Sequence, residues 1–134
     1  MPSEETVVVS TRTPASTRAR ARQHEFVIDK LPASGGDDEG PMASEYLLAA
    51  LASCQITTAH KIAVKRGEPI DAISITATLW IERGCITNIK LDIDVSGGPD
   101  DDELDTILRL TERSCTVSQA LSVPIERRVR RAAA

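Results

Sequence analysis

Apolar residues recur at helical spacing between residues 42 and 66, where Leu47, Leu48, Leu51, Ala52, Ile62 and Ala63 mark one face. Gly67 supplies the stop expected after such a helix. Residues 70–82 and 85–95 change period: Ile, Thr and Leu alternate with polar residues there, the pattern of half-buried strands. Arg83-Gly84 between them predicts a tight turn and an antiparallel hairpin. Residues 101–113 return to helical spacing, with Leu104, Ile107, Leu108 and Leu110 apolar. Shorter patterns predict strands over residues 6–12 and 24–29, a helical turn over 117–121 and a last strand over 124–131. The order strands, helix, hairpin, helix, strand defines an α+β fold. No linker divides the chain, so residues 1–134 are read as a single domain.

Polar, turn-forming residues separate these patterns. Leu31-Pro32-Ala33-Ser34-Gly35-Gly36 and Asp37-Asp38-Glu39-Gly40-Pro41 predict a long loop before the first helix. Asp100-Asp101-Asp102-Glu103 sits where acids favour a helix N-terminus. The run Arg127-Arg128-Val129-Arg130-Arg131 is read as a solvated edge strand whose charges oppose edge-to-edge pairing.

Composition narrows the function. Of 134 residues 41% are hydrophobic and only 2% aromatic, so the core is built from Leu, Ile, Val and Ala. Few rings are left to stack bases, and the net charge of -4 gives no pull toward nucleic acid. No uninterrupted apolar run approaches a membrane span of about 20 residues, so no membrane partner is expected. The acidic start Met1-Pro2-Ser3-Glu4-Glu5 is unlike a signal peptide, and a cytoplasmic location is expected. The cysteines and histidines have no metal-site spacing, so neither metal nor cofactor is expected.

The residues left to carry chemistry are thiols. Cys54 lies within the helix and Cys115 just beyond the second one, about 60 residues later. Cys85 follows the hairpin turn without a motif and reads as incidental. His60, six residues after Cys54, falls about 240° round an ideal helix and points elsewhere.

Two stretches carry a family resemblance. Gly35-Gly36-Asp37, Gly40-Pro41 and Glu45-Tyr46-Leu47-Leu48-Ala49-Ala50-Leu51-Ala52-Ser53-Cys54 resemble the first motif of the OsmC/Ohr family (osmotically inducible protein C and organic hydroperoxide resistance protein). Lys65-Arg66-Gly67 closes the helix as in that family, and Cys115-Thr116-Val117-Ser118-Gln119-Ala120-Leu121 resembles the second motif. The resemblance implies an OsmC-like fold, with antiparallel sheets around two long helices in an intertwined homodimer. It implies a thiol-dependent peroxidase in which Cys54 attacks an organic hydroperoxide, Cys115 resolves the sulfenic acid, and an external dithiol resets the pair. Family peroxidases also activate the first cysteine with an arginine and a carboxylate. The candidates here are Arg22 and Glu45, with Ser44 at the usual carboxylate position, ten before Cys54. On an ideal helix the nine residues from Glu45 to Cys54 span about 900°, which turns the two to opposite faces. The alternative reading is a non-peroxidatic OsmC-like dimer that binds a small apolar ligand.

Overall fold

The computed structural model describes residues 2–131. It comprises two compact units that meet within the first long helix, at Leu47/Leu48.

The first unit is a three-stranded antiparallel meander of β1 (Val8–Thr13), β2 (Ser16–Ala21) and β3 (His24–Ile28), in that order. The apolar pattern predicts β1 and β3 but misses β2. Its sequence, Ser-Thr-Arg-Ala-Arg-Ala, buries only Ser16 and Ala19, too small a set to show alternation. After β3 the chain winds round Asp29, a 3% exposed carboxylate that accepts the backbone N–H groups of Lys30 at 2.6 Å, Glu39 at 3.1 Å and Asp37 at 3.4 Å. Asp29 N–H in turn donates to Pro41 O at 3.1 Å. Gly40 is needed here because a Cβ at that position would lie 2.3 Å from Val27 O. The glycine-rich part of the first motif therefore folds the loop onto β3. Tyr46 completes the unit, donating from its hydroxyl to Val27 O at 3.0 Å and stacking obliquely on Phe26.

Helix α1 (Ala43–Lys65) agrees with the sequence expectation to within one residue at each end. Glu45 Oε1 accepts the Met42 N–H at 2.8 Å, a capping role that leaves this exposed carboxylate in the first helical turn. One expectation needs correction. By length and composition α1 is long and apolar enough to cross a membrane, with mean hydropathy 1.3 over 18 residues. Scattered Ser, Thr and Gln residues hide this from a search for uninterrupted apolar runs. In the fold, its buried stripe Leu51, Gln55, Ala59 and Ala63 repeats every four residues and packs into the core of the second unit.

The second unit joins the rest of α1 to a sheet of β4 (Ala72–Glu82), β5 (Cys85–Ser96) and β6 (Ile125–Arg131), with β5 in the centre. Arg83 and Gly84 both take positive φ, 53° and 76°, as a two-residue hairpin turn requires. Strand β5 turns Ile89, Leu91, Ile93 and Val95 inward, against α1 residues and against Leu104 and Ile107 of α2 (Asp101–Ser114). Asp100 caps α2, accepting the Glu103 N–H at 2.9 Å. The sheet is not wholly antiparallel as expected, because β6 runs parallel to β5. The crossover through α2 and the short α3 (Thr116–Ala120) returns the chain to the end where β5 began, and a parallel pairing follows.

Candidate redox site

The second unit brings the two cysteines together. Cys54 sits in the middle of α1, half-buried, with its sulfur 3.9 Å from Thr58 Oγ1 one turn later. Cys115 sits between α2 and α3 and is fully buried. Its extended backbone (φ -70°, ψ 114°) breaks the two helices apart. Its N–H donates back to Thr111 O, and its sulfur accepts the Ser118 N–H at 3.5 Å. The thiol itself thus caps the short helix that follows.

Both thiols are free, and Cys54 stands close enough to Cys115 to help lower its pKa. Burial pushes the Cys115 thiol up. The donors around it outweigh that effect: Cys54, then the N–H and hydroxyl of Ser118, then the Gln55 side chain. The balance holds Cys115 below the ordinary cysteine range. The Ser118 hydroxyl also has carbonyl acceptors within reach, Cys115 O at 3.2 Å and Glu112 O at 3.5 Å.

Three further side chains complete the cluster. Gln55 follows Cys54 on α1 and is 3% exposed. Its Oε1 accepts Arg127 Nε–H at 3.4 Å. Arg127 extends from β6 and pairs through Nη1 with Glu112 Oε1 of α2 at 3.0 Å, while also reaching Ile125 O at 3.5 Å. The Arg127 side chain is 16% exposed and Glu112 43%, so the ion pair is shielded mainly on the arginine side. At the other end of the Gln55 amide, Nε2 is buried without a well-formed hydrogen bond among the described residues. The Gln55 side chain still stands close enough to Cys115 to favour the thiolate there.

The remaining sequence candidates stand in the first unit. Arg22 is exposed in the two-residue turn between β2 and β3, with φ 56°. Glu45 caps α1 as described. Gln55, Arg127 and Glu112 escaped the sequence reading. A signal for Arg127 exists in the period of two that puts Ile125 and Arg127 on one side of β6 and the exposed Glu126 and Arg128 on the other. The other basic residues of this strand are held by acids, Arg128 by Glu126 at 3.2 Å, Arg130 by Asp94 at 2.7 Å and Arg131 by Asp101 at 3.2 Å. Among the described residues no group of three or more His, Cys, Asp or Glu side chains is placed to hold a metal.

These features define an α+β protein with a vicinal dithiol, one sulfur half-buried on a long helix and the other sealed at a helix junction. A family model for OsmC-like protein matches residues 36–128, and the chain belongs to that family. No curated protein sequence matches it. The fold is similar to that of an OsmC-like protein from Mycoplasma pneumoniae, with TM-score 0.88 and 16% identity over 99% of this chain and 100% of that one. An OsmC-like protein of unknown function from Vibrio cholerae gives TM-score 0.82 and 15% identity, over 96% and 100%. The organic hydroperoxide resistance protein OhrB of Bacillus subtilis gives TM-score 0.72 and 16% identity, over 95% and 98%. At these identities the likeness is one of fold.

Proposed function

We propose that the protein is a thiol-dependent peroxidase that reduces organic hydroperoxides at the Cys54–Cys115 pair. The observation that carries this reading is the meeting of the two thiols, one half-buried and one fully buried, with the thiolate favoured on the buried sulfur. Cys54 is the sulfur a hydroperoxide can reach. Cys115, whose thiol is held below the ordinary range, takes the Cys54 proton as Cys54 attacks the outer peroxide oxygen. The S–O bond forms, the O–O bond breaks, and the alkoxide leaves to be protonated as the alcohol. Cys115 returns to thiolate by giving up its proton and attacks the Cys54 sulfenic acid. The disulfide forms, water departs, and an external dithiol restores both thiols.

The family resemblance implies an arginine and a carboxylate that activate Cys54, with Arg22 and Glu45 as the candidates. Within the second unit, Arg127 holds the Gln55 side chain that follows Cys54, and Glu112 pairs with that arginine. The resemblance also implies a homodimer, and the acidic N-terminus fits a cytoplasmic location. Support for the dimer comes from α1, only 22% of whose most apolar window is buried within one chain.

The test is cumene hydroperoxide consumption with a dithiol reductant. The native chain should turn over the peroxide, Cys54→Ser should abolish turnover, and Cys115→Ser should slow it strongly, since it removes both the proton acceptor and the resolving thiol. A native rate no faster than that of a free thiol would sink the peroxidase reading.

A further inference from the structure

The orphaned amide of Gln55 stands out in this cluster. A buried donor without a partner costs stability, so its presence beside a reactive sulfur calls for an acceptor that forms only in another state. The amide cannot simply turn over. Its Oε1 end is fixed by Arg127 Nε, and Arg127 is fixed by Glu112 and by Ile125 O. That arrangement leaves Nε2 as the end turned from the arginine, buried without a partner, on a side chain that helps hold the buried Cys115 below the ordinary cysteine range. A neutral thiol is a poor acceptor and a thiolate a strong one.

We infer that Gln55, oriented by Arg127, is a catalytic donor for the reductive half of the cycle, stabilising Cys115 as the sulfur expelled when the disulfide is opened. This deepens the dithiol reading above and rests on it. Reduction then has a fixed direction. A thiolate of the external dithiol attacks Cys54, the half-buried sulfur. The new S–S bond forms between reductant and Cys54, and the Cys54–Cys115 bond breaks. Its electron pair goes to Cys115, where the Gln55 amide and the Ser118 N–H receive the charge. The second thiol of the reductant then attacks the mixed disulfide and frees Cys54, leaving the oxidised reductant as a cyclic disulfide. Stabilising the departing sulfur speeds this exchange. Arg127 acts as a positioning residue, since it touches the amide and not the sulfur.

The experiment uses the full chain in a Cys85→Ser background, with the disulfide made by diamide so that peroxide turnover plays no part. Reduction by dithiothreitol is followed with and without Gln55→Met, which keeps the length and removes both donors. The expected result is reduction at least about threefold slower, since a hydrogen bond to a charged group is lost while attack at Cys54 is untouched. In a Cys54→Ser, Cys85→Ser chain, where Cys115 is the one thiol left, thiolate absorbance at 240 nm should move up in pH by about tenfold in proton concentration on adding Gln55→Met. An unchanged rate together with an unchanged titration overturns the inference. A third measurement needs no Gln55 variant. The oxidised Cys85→Ser chain is treated with limiting 2-mercaptoethanol, quenched in acid and mapped by mass spectrometry. The adduct is expected on Cys54; an adduct on Cys115 refutes the stated direction even if the peroxidase reading holds. A chain that consumes no hydroperoxide yet passes these tests would lose only the proposed substrate.

Discussion

Arg127→Met and Gln55→Met, alone and together, should show a coupling whose sign follows from the orphaned amide. Removing Arg127 strips the Gln55 Oε1 of its 3.4 Å donor and Glu112 of its 3.0 Å partner. Losing a buried hydrogen bond partner costs about 1–3 kcal/mol. The ion pair adds at most about 1 kcal/mol, because Glu112 is 43% exposed and solvent screens it. Arg127→Met should therefore destabilise by about 1.5–3 kcal/mol, and for a chain of this length each kcal/mol lowers Tm by roughly 3–5 °C. Gln55→Met alone should be close to neutral, since the removed Oε1 bond is offset by removal of the unpaired Nε2. In the Arg127→Met chain both ends of the amide are unsatisfied. There Gln55→Met should restore about 1–2 kcal/mol, making the double variant more stable than Arg127→Met. Urea denaturation at one fixed protein concentration measures all four chains, so that any assembly contributes equally. A double variant clearly less stable than Arg127→Met would show that Gln55 is held by something other than this arginine, and the argument for an oriented amide would fail.

Two further outcomes test the first unit. Gly40→Ala places a methyl group 2.3 Å from Val27 O, so the loop must leave β3 or shift it; a loss of at least about 2 kcal/mol is expected in thermal melts. The N–H groups of Glu39 and Lys30, above all, hold the Asp29 carboxyl below its ordinary 3.8. A lowered carboxyl contributes its stabilisation fully above the unfolded value and loses it as pH falls below 3.8 toward the folded one. Acid titration followed at the single tyrosine, Tyr46, should report loosening of this unit in that window. Asp29→Asn should loosen it at neutral pH and flatten the acid response.

The legible parts of this fold were those with a strong period or a strong stop. Helix α1 has its apolar stripe and Gly67, the hairpin has Arg83-Gly84, and α2 has four apolar residues and an acidic start. Strand β2 was hidden because its inward side chains are Ser16 and Ala19. The parallel pairing of β6 was hidden because direction is set by the crossover and not by the strand's own residues. The two cysteines stood out as candidates through their motifs, whereas Gln55 was passed over as the polar neighbour of one of them. Arg127 was hidden by company: four arginines in five positions read as a charged edge, and only their alternate burial separates the one that turns inward.

The parallel pairing of β6 has a consequence for how the protein comes into being. The β4–β5 hairpin closes over two residues and can form early, but every β6 residue pairs 36 positions back along the chain, from Ile125 on Ile89 to Arg131 on Val95. Such distant closure is slow relative to local turns. Arg127 therefore joins Gln55 and Glu112 only when the final strand docks. Until then the nascent chain holds its two thiols without the clamp.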